Sequence, residues 1–259
     1  MSDLKVSWQT ILRDAITRPG TVHEAYNRFH NYSIGNQLLA LMQCNARSIQ
    51  PGPIATFPRW KDLGRHVRKG EKALTLCMLV RCKAKHPARD ERGEETEQGI
   101  AFTRFVYRNN WFVLAQTDGA EYKTDRLPDW DESRALATLA IERIPFDELD
   151  GNIQGFATGR MVAINPVAAM PAKTLLHELA HVILGHTAEG NLNDGSERTP
   201  RSLREVEAEC VALLCCESLG LPGAHFSRGY IQSWGSEIPE RSAQKIFHAA
   251  DLILKAGVR

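Results

Sequence analysis

The chain has 259 residues, of which 43% are hydrophobic and 24% are charged, a composition typical of a globular protein with buried cores. No apolar run approaches the roughly 18 residues that a membrane helix needs, and the first residues do not form a signal peptide. We therefore expect a cytoplasmic protein with no membrane partner. The six cysteines form no Cys-x-x-Cys pair and are expected to be reduced.

Charge is divided unevenly between the two halves of the chain. Residues 1–130 carry 20 Lys and Arg against 14 Asp and Glu, a balance of +6, and residues 131–259 carry 12 against 17, a balance of −5; the two sum to the net charge of +1. Such a split indicates different partners for the two halves. The polar stretch that follows Asp118-Gly119 is typical of a linker, so we predict one domain over residues 1–124 and another over residues 125–259.

The first domain is predicted to combine helices with a small antiparallel sheet. Apolar residues at helical spacing favour helices, and a Pro-Gly-Pro segment at 51–53 ends the second of them. Residues 83–98 are dominated by charge, which predicts a solvated loop. The predicted helices cover 7–17, 22–46 and 59–64, and the predicted strands cover 73–82, 100–107 and 111–116.

The second domain is predicted to be mostly helical with a short sheet, which makes the whole chain an α+β protein of two domains. Its sequence favours a strand pair that turns at Thr158-Gly159. Two of its helices carry the residues best suited to chemistry. We place helices at 132–143, 172–185 and 203–218, strands within 151–165, and a polar loop at 187–201.

The strongest chemical signal is the segment His177-Glu178-Leu179-Ala180-His181. Residues four apart share a face of a helix, so the imidazoles of His177 and His181 can bind one metal ion, and Glu178 can reach a water on that ion. Apolar neighbours favour a buried helix over two incidental surface histidines. The pattern is typical of zinc metallopeptidases, in which this glutamate is the general base.

A catalytic zinc needs a third protein ligand and one open position. Glu205 and Glu209 share a face of the next predicted helix. We assign Glu205 as the third ligand and Glu209 as the carboxylate that orients a ligating histidine, and the reverse assignment stays open. Glu207 falls on another face and is predicted to be solvated. His186 is a rival ligand, but five residues after His181 it is poorly placed on the same helical face.

A second donor for the oxygen of a substrate carbonyl is harder to find. Tyr230 and His225 are the candidates, and for both a packing role is the simpler interpretation. The sequence does not reveal a peptide substrate.

A basic segment lies in the first half of the chain, where residues 59–72 contain six Lys and Arg against two acidic residues. A basic groove with an aromatic ring suits single-stranded nucleic acid, because any base can stack on an aromatic face. The alternative is a solvated surface over a buried tryptophan. Under the nucleic-acid interpretation the contacts come from Trp60, Lys61, Arg65, Arg68, Lys69 and Lys72.

Three segments of the first half resemble one family. Residues 31–39, NYSIGNQLL, are similar to a helix of that family that contains a Tyr-Ser pair. Residues 60–72, WKDLGRHVRKGEK, resemble its most distinctive signature, and residues 116–119, QTDG, resemble the end of its domain. The family is the ArdC-like antirestriction proteins of conjugative plasmids and related mobile elements. The zinc motif with its downstream glutamates also resembles the ImmA/IrrE group of zinc peptidases.

The resemblance implies an N-terminal domain that binds single-stranded DNA and a C-terminal zincin-like metallopeptidase domain that holds Zn²⁺. It also implies that Tyr32 and Asn36 contribute to the DNA site. Two segments depart from the family pattern: residues 41–44 are less hydrophobic than usual there, and residues 83–98 are an insertion. Neither departure removes a residue to which we assign a function.

Two hypotheses of function follow. The first is a protein that binds single-stranded DNA and protects incoming DNA from host restriction. The second is a zinc peptidase that cleaves a host or regulatory protein, with the N-terminal half recognising protein instead of DNA. The basic segment favours the first. Because the basic residues lie before residue 130 and the zinc ligands after residue 170, we also expect a fragment ending near Thr124 to fold and bind single strands.

Overall fold

The computed structural model describes residues 7–89, 95–124, 126–148, 150, 152–187 and 200–258, with the backbone alone over 83–89 and 95–103. Helices and small sheets are combined in two compact units, which confirms the predicted α+β class. One unit contains the chain up to Leu38 together with the chain from Thr124, and the other spans Leu39–Lys123. Within the described ranges, no helix has the length and apolarity to cross a membrane.

The first helices belong to the unit that contains the second half of the chain. They are α1 (Trp8–Thr17), α2 (Thr21–Phe29) and the start of α3 (Ile34–Ala46), and the division between the units falls inside α3. The single predicted helix at 22–46 is therefore two helices, separated by residues 30–33. The buried face of α1 carries four apolar residues, and α1 packs against the last helix of the chain.

Acidic residues of the last helix hold the N-termini of α1 and α3. The carboxylate of Glu240 accepts hydrogen bonds from the Ser7 hydroxyl and from the backbone N–H groups of Trp8 and Gln9, each at 2.9 Å. Burial would raise the pKa of Glu240, but these N–H donors lower it below its usual range. Asp251 Oδ1 likewise accepts from the N–H of residue 34 at 2.7 Å. Free N–H groups at helix starts need such acceptors.

The two compact units therefore do not correspond to two consecutive segments of the chain, because one of them contains both chain ends. Their boundary at Lys123 and Thr124 lies next to the predicted boundary at 124, whereas the residues before Leu39 pack with the second half. Amphipathic periodicity shows that α1 and α2 bury one face, but it does not show which partner covers that face. The assignment of residues 1–124 to one functional domain remains a prediction.

The unit Leu39–Lys123 is built on a three-stranded antiparallel sheet. β1 (Ile54–Thr56) pairs with β4 (Glu95–Val113), and β4 pairs with β3 (Leu74–Arg89). α4 (Phe57–Asp62) starts directly after β1 with a proline in its first turn, where a missing N–H leaves no helical hydrogen bond unmade. β2 (Arg65–Val67) and β5 (Thr117–Gly119) form a separate antiparallel pair.

β3 and β4 form a longer ribbon than the sequence predicts. The charge of residues 83–98 predicts a loop, yet β3 continues to Arg89 and β4 starts at Glu95, so that prediction is wrong for this segment; residues 90–94 lie outside the described residues. The two strands predicted at 100–107 and 111–116 form one strand up to Val113. A high content of charged residues does not distinguish a loop from a strand here, because a two-stranded ribbon does not have to bury either face.

The remaining elements belong to the unit that contains the second half of the chain. A small sheet contains β6 (Glu142–Arg143), β7 (Gly155–Thr158) and β8 (Met161–Ile164) in the order β6-β8-β7. β7 and β8 are antiparallel around the predicted turn after Thr158, and β6 is parallel to β8. The helix predicted at 132–143 ends at Leu139, because Ala140 takes a left-handed conformation and the next residues join the sheet. Of the predicted loop at 187–201, residues 188–199 lie outside the described residues. The elements are α5 (Glu132–Leu139), β6 (Glu142–Arg143), β7 (Gly155–Thr158), β8 (Met161–Ile164), α6 (Pro171–Ile183), α7 (Arg201–Leu219), α8 (Ala224–Trp234) and α9 (Glu240–Gly257).

α7 is the central helix of this unit and packs against α6, α8 and α9. Its side chains from Val206 to Cys216 are all buried, so almost its whole circumference is covered. α6 lies on the β7–β8 hairpin, where a Cβ at Gly155 would come within 2.8 Å of the Thr174 side chain. α6 therefore lies between the β7–β8 hairpin and α7 and contacts both.

Candidate metal centre

The two motif histidines meet on the face of α6 that is turned toward α7. His177 and His181 are one helical turn apart, and their Nε2 atoms are 3.1 Å apart. Both residues lie within Pro171–Ile183, a helix whose other side buries Leu175, Leu176 and Leu179. The apolar residues anchor the helix, and the imidazoles share one side of it.

Glu205, in the second turn of α7, completes a triangle of donor atoms. Its Oε2 lies 3.5 Å from Nε2 of His177 and 3.5 Å from Nε2 of His181. Ligands about 2.0–2.1 Å from a tetrahedral zinc ion are about 3.3–3.4 Å apart, so the three donor atoms fit a divalent metal ion of that size. Hydrogen bonds from the two histidines lower the pKa of Glu205, which keeps it an anionic donor. The structure thus brings all three predicted metal ligands together.

Glu178 borders the same space. It lines a cavity of about 450 Å³ together with His177, His181 and Glu205, and with residues of β7, of the turn after α6 and of the start of α7. Its side chain is buried, and burial raises its pKa while the neighbouring histidines lower it. A carboxyl group in this position can accept a proton from a metal-bound water and return it.

Glu209 approaches the outer nitrogen of His177. Its Oε1 lies 3.5 Å from His177 Nδ1 and 2.6 Å from the ammonium of Lys173. The nitrogen it approaches is the one that does not face the ligand triangle. Glu205 thus faces the Nε2 atoms of both histidines, and Glu209 faces the opposite nitrogen of His177; that Glu205 is the ligand and Glu209 its outer partner remains a prediction.

His181 is backed by a chain of hydrogen bonds that the sequence does not predict. Its Nδ1 lies 3.0 Å from Nδ1 of His186, and Nε2 of His186 lies 2.9 Å from Oε2 of Glu207. Glu207 is only 2% exposed, so the prediction that it is solvated is wrong. Burial would raise the pKa of Glu207, but hydrogen bonds from His186 and Ser242 lower it below its usual range. His186 contacts Nδ1 of His181, whereas Nε2 of His181 faces His177 and Glu205.

Two arginines line the cavity, and the two residues considered as donors to a substrate carbonyl, Tyr230 and His225, differ in their surroundings. Arg201 and Arg204 line the cavity, and Arg204 also donates to the backbone carbonyl of His186 at 3.2 Å. Burial, followed by the charges of Glu205 and Glu209, raises the pKa of Tyr230, which places this half-exposed phenol in the field of the site. His225 packs its ring against Phe226, with centroids 4.0 Å apart. The two arginines gave no signal in the sequence beyond their charge.

The basic segment of the other unit has a different structure from the predicted groove. Trp60 is 1% exposed, donates its indole N–H to the Phe112 carbonyl at 2.9 Å, and packs edge-on against Tyr122. Its ring is therefore not available for stacking on bases. Arg65 is held by the side chain and the carbonyl of Thr117 at 2.8 Å.

The other predicted DNA contacts are divided between the two units. Arg68 pairs with Glu71 at 2.8 Å and with Asp118 at 3.6 Å. Lys61, Lys69 and Lys72 are exposed. Tyr32 and Asn36 belong to the unit that contains the second half of the chain. Tyr32 lines a cavity of about 290 Å³, which Arg126 and Lys255 also line.

This geometry defines a class of protein. In the unit that contains the second half of the chain, two histidines and one carboxylate form a candidate metal site beside a further glutamate. Comparison with known proteins narrows this class. Residues 5–108 match the family model described as the N-terminal domain of anti-restriction factor ArdC. No curated protein gave a significant match.

Solved structures show the same fold over nearly the whole chain. A metal-free crystal structure of the antirestriction ArdC protein from R388 plasmid matches with a TM-score of 0.53 and 24% identity, covering 96% of this chain and 94% of the other. Its Mn(II)-bound structure matches with a TM-score of 0.52 and 22% identity, covering 98% of both chains. Residues 5–108 therefore match an ArdC N-terminal domain, and the chain as a whole has the fold of the R388 protein.

Proposed function

We propose that this chain is an antirestriction protein that binds single-stranded DNA and carries a metallopeptidase-like centre. The single observation that carries the proposal is the triangle of His177, His181 and Glu205 within an ArdC-like fold. The similar R388 protein is described as an antirestriction protein and has been crystallised with Mn(II). Such a protein would act in the cytoplasm, where incoming DNA meets restriction enzymes.

The metal we propose is Zn²⁺, because two imidazoles and one carboxylate with an open fourth position are a common catalytic zinc set. When bound there, zinc supplies Lewis-acid activation of a water molecule and of a carbonyl group. Glu178 would take the proton of that water and pass it to the leaving amine. Glu209 and Glu207 would hold the ligating histidines in place from outside, and Arg204 or Tyr230 would face the substrate.

Restriction of incoming DNA tests the proposal directly. Unmodified DNA is introduced into a restricting host that produces the chain, and surviving transformants are counted against a host without it. We expect more survivors with the chain, and no difference in a host that lacks the restriction enzyme. Equal survival with and without the chain in the restricting host would refute the antirestriction function.

The same site also supports a second candidate, a zinc peptidase that cleaves a host or regulatory protein. The observation that favours it is the complete set of three ligands and a buried glutamate around a cavity of about 450 Å³. Under this candidate the Leu39–Lys123 unit would recognise protein. Binding of a labelled single-stranded oligonucleotide, measured at several salt concentrations, distinguishes the two candidate functions. Only the antirestriction proposal requires the full chain to bind single strands with an affinity that falls as salt rises.

A further inference from the structure

We propose that single-stranded DNA stacks on the exposed part of the β3–β4 ribbon, with Phe105 as the central contact. This inference rests on the proposed function and identifies a surface for it. The burial of Trp60 removes the ring to which the sequence assigns base stacking. A stacking surface on the Leu39–Lys123 unit therefore has to use rings that lie at its surface.

The ribbon presents apolar side chains to solvent where a two-stranded sheet has no layer above it. Phe105 and Leu79 are each 61% exposed and Tyr107 is 37% exposed. Phe105 lies directly opposite Leu79, and Tyr107 lies opposite Cys77. Directly opposed residues share a face of an antiparallel pair, and so do residues two apart on one strand. Phe105, Leu79 and Tyr107 therefore form one patch.

The spacing within this patch suits an extended strand of nucleic acid. Residues two apart on a β-strand are separated by about 6.6–6.8 Å, so Phe105 and Tyr107 offer two rings in succession along β4. Bases of a single strand can each stack on such a ring, whereas the bases of a duplex are already stacked on one another. The patch thus favours single-stranded over double-stranded DNA.

The charge of the ribbon favours the same ligand. Over residues 74–82 and 104–113 the charged residues are Arg81, Arg104 and Arg108, with no acidic residue among them. Arg81 shares the face of Phe105, whereas Arg104 and Arg108 lie on the opposite face. Arg81 pairs across the ribbon with residue 103, which makes it a diagonal neighbour of Phe105 on the same face. A guanidinium beside a stacking ring can hold the phosphate that follows the stacked base.

Titration of a fluorescein-labelled oligothymidylate with the full-length chain and its Phe105→Ala variant tests the inference. An oligonucleotide of about 20 nucleotides exceeds the ~4–16 that comparable sites cover. Loss of one stacking ring is expected to weaken binding about fivefold or more. The matched control is Phe226→Ala, which removes a phenylalanine that is 54% exposed on α8 of the other unit. It should bind within about twofold of wild type.

Two further variants make the test specific. Arg81→Gln should weaken binding and lower the slope of log affinity against log salt by about 0.7, the value for one phosphate contact on a single strand. Phe57→Ala removes an exposed ring at the start of α4, beside the basic segment. Circular dichroism and thermal melting of every variant establish that the exposed substitutions leave the fold intact.

Each result decides between surfaces. If Phe105→Ala binds like wild type, or if Phe57→Ala alone weakens binding, the ribbon is not the stacking surface and this inference is overturned while the proposed function stands. If Phe105→Ala changes the oligomeric state of the chain and not its affinity for the oligonucleotide, the ribbon joins copies of the chain and the inference is again overturned. If wild type binds no single strand at low salt, the proposed DNA-binding function itself fails.

Discussion

Replacement of Glu207 by glutamine tests whether the buried hydrogen-bond chain supports the metal site. A metal ion on Nε2 of His181 leaves the proton on Nδ1, which then donates to Nδ1 of His186. His186 must in turn carry its proton on Nε2 and donate it to Glu207, at the observed 2.9 Å. Glutamine keeps the shape of the side chain but removes its charge, and its amide can turn an N–H toward His186 and disturb the whole chain.

The expected loss follows from the strength of that hydrogen bond. A hydrogen bond to a charged group contributes about 1.5–3 kcal/mol, and loss of an outer partner of a metal-ligating histidine typically lowers metal affinity about 10- to 100-fold. We therefore expect Glu207→Gln to bind zinc about 10- to 100-fold more weakly than wild type, with Glu205, His177 and His181 unchanged.

The affinity is measured by competition with a chromophoric chelator at constant pH. Glu217→Gln is the matched control, because Glu217 is another glutamate on α7 whose carboxylate pairs with Arg228, away from the metal ligands. Its loss should destabilise the fold without a specific effect on zinc. Equal zinc affinity in Glu207→Gln and wild type, or equal losses in both variants, would refute the supporting role of Glu207.

Three other predictions concern the general base, an N-terminal contact and the unit boundary. If the site is a peptidase, Glu178→Gln should keep its metal and lose turnover, because an amide cannot accept the proton; comparable turnover would exclude this base. Glu240→Gln should lower the free energy of unfolding by about 1 kcal/mol at neutral pH. Because the pKa of Glu240 is lowered in the fold, its contribution is present above about pH 4.3 and disappears as pH falls through the folded value, so denaturant melts of the two proteins should converge at low pH. A fragment of residues 1–124 should unfold more easily than a full chain and expose apolar surface, because α1 and α2 lose α9 and α7; a cooperative, fully stable fragment would contradict the observed packing.

The fragment shows where sequence reasoning reached its limit. From the charge split alone, a fragment ending near Thr124 is expected to fold and bind single strands. The apolar faces of α1 and α2 are readable from their periodicity, but the helices that cover them follow residue 200. Periodicity identifies a buried face and carries no information about a partner distant in sequence.

The grouping of His177, His181 and Glu205 was predictable because the geometry within each helix is local. His177 and His181 are related by one helical turn, and the spacing of Glu205 and Glu209 along the next helix limits the third ligand to two residues. Glu207 was not predictable in this way. α7 is enclosed on nearly all sides, so a face that looks solvated in a helical projection is buried. The partner of Glu207 is His186, which lies in the turn after α6.

The aromatic residues show that the sequence around a ring does not predict whether the ring is buried. Trp60 lies among six basic residues in sequence, which suggests a nucleic-acid surface, yet its ring is part of the core. Phe105 lies in a strand whose length the sequence did not predict, yet its ring is at the surface. Local composition describes the neighbours of a ring along the chain, whereas burial depends on how the sheet is covered.

The metal content of the purified protein tests the central claim most directly. Wild type and the His181→Ala and Glu205→Ala variants are loaded with zinc, freed of excess by gel filtration and analysed by mass spectrometry for metal per chain. We expect about one zinc per wild-type chain and a large loss in both variants, since each removes one of three ligands. Wild type that retains no metal, or variants that retain as much as wild type, would contradict a metal centre formed by these residues.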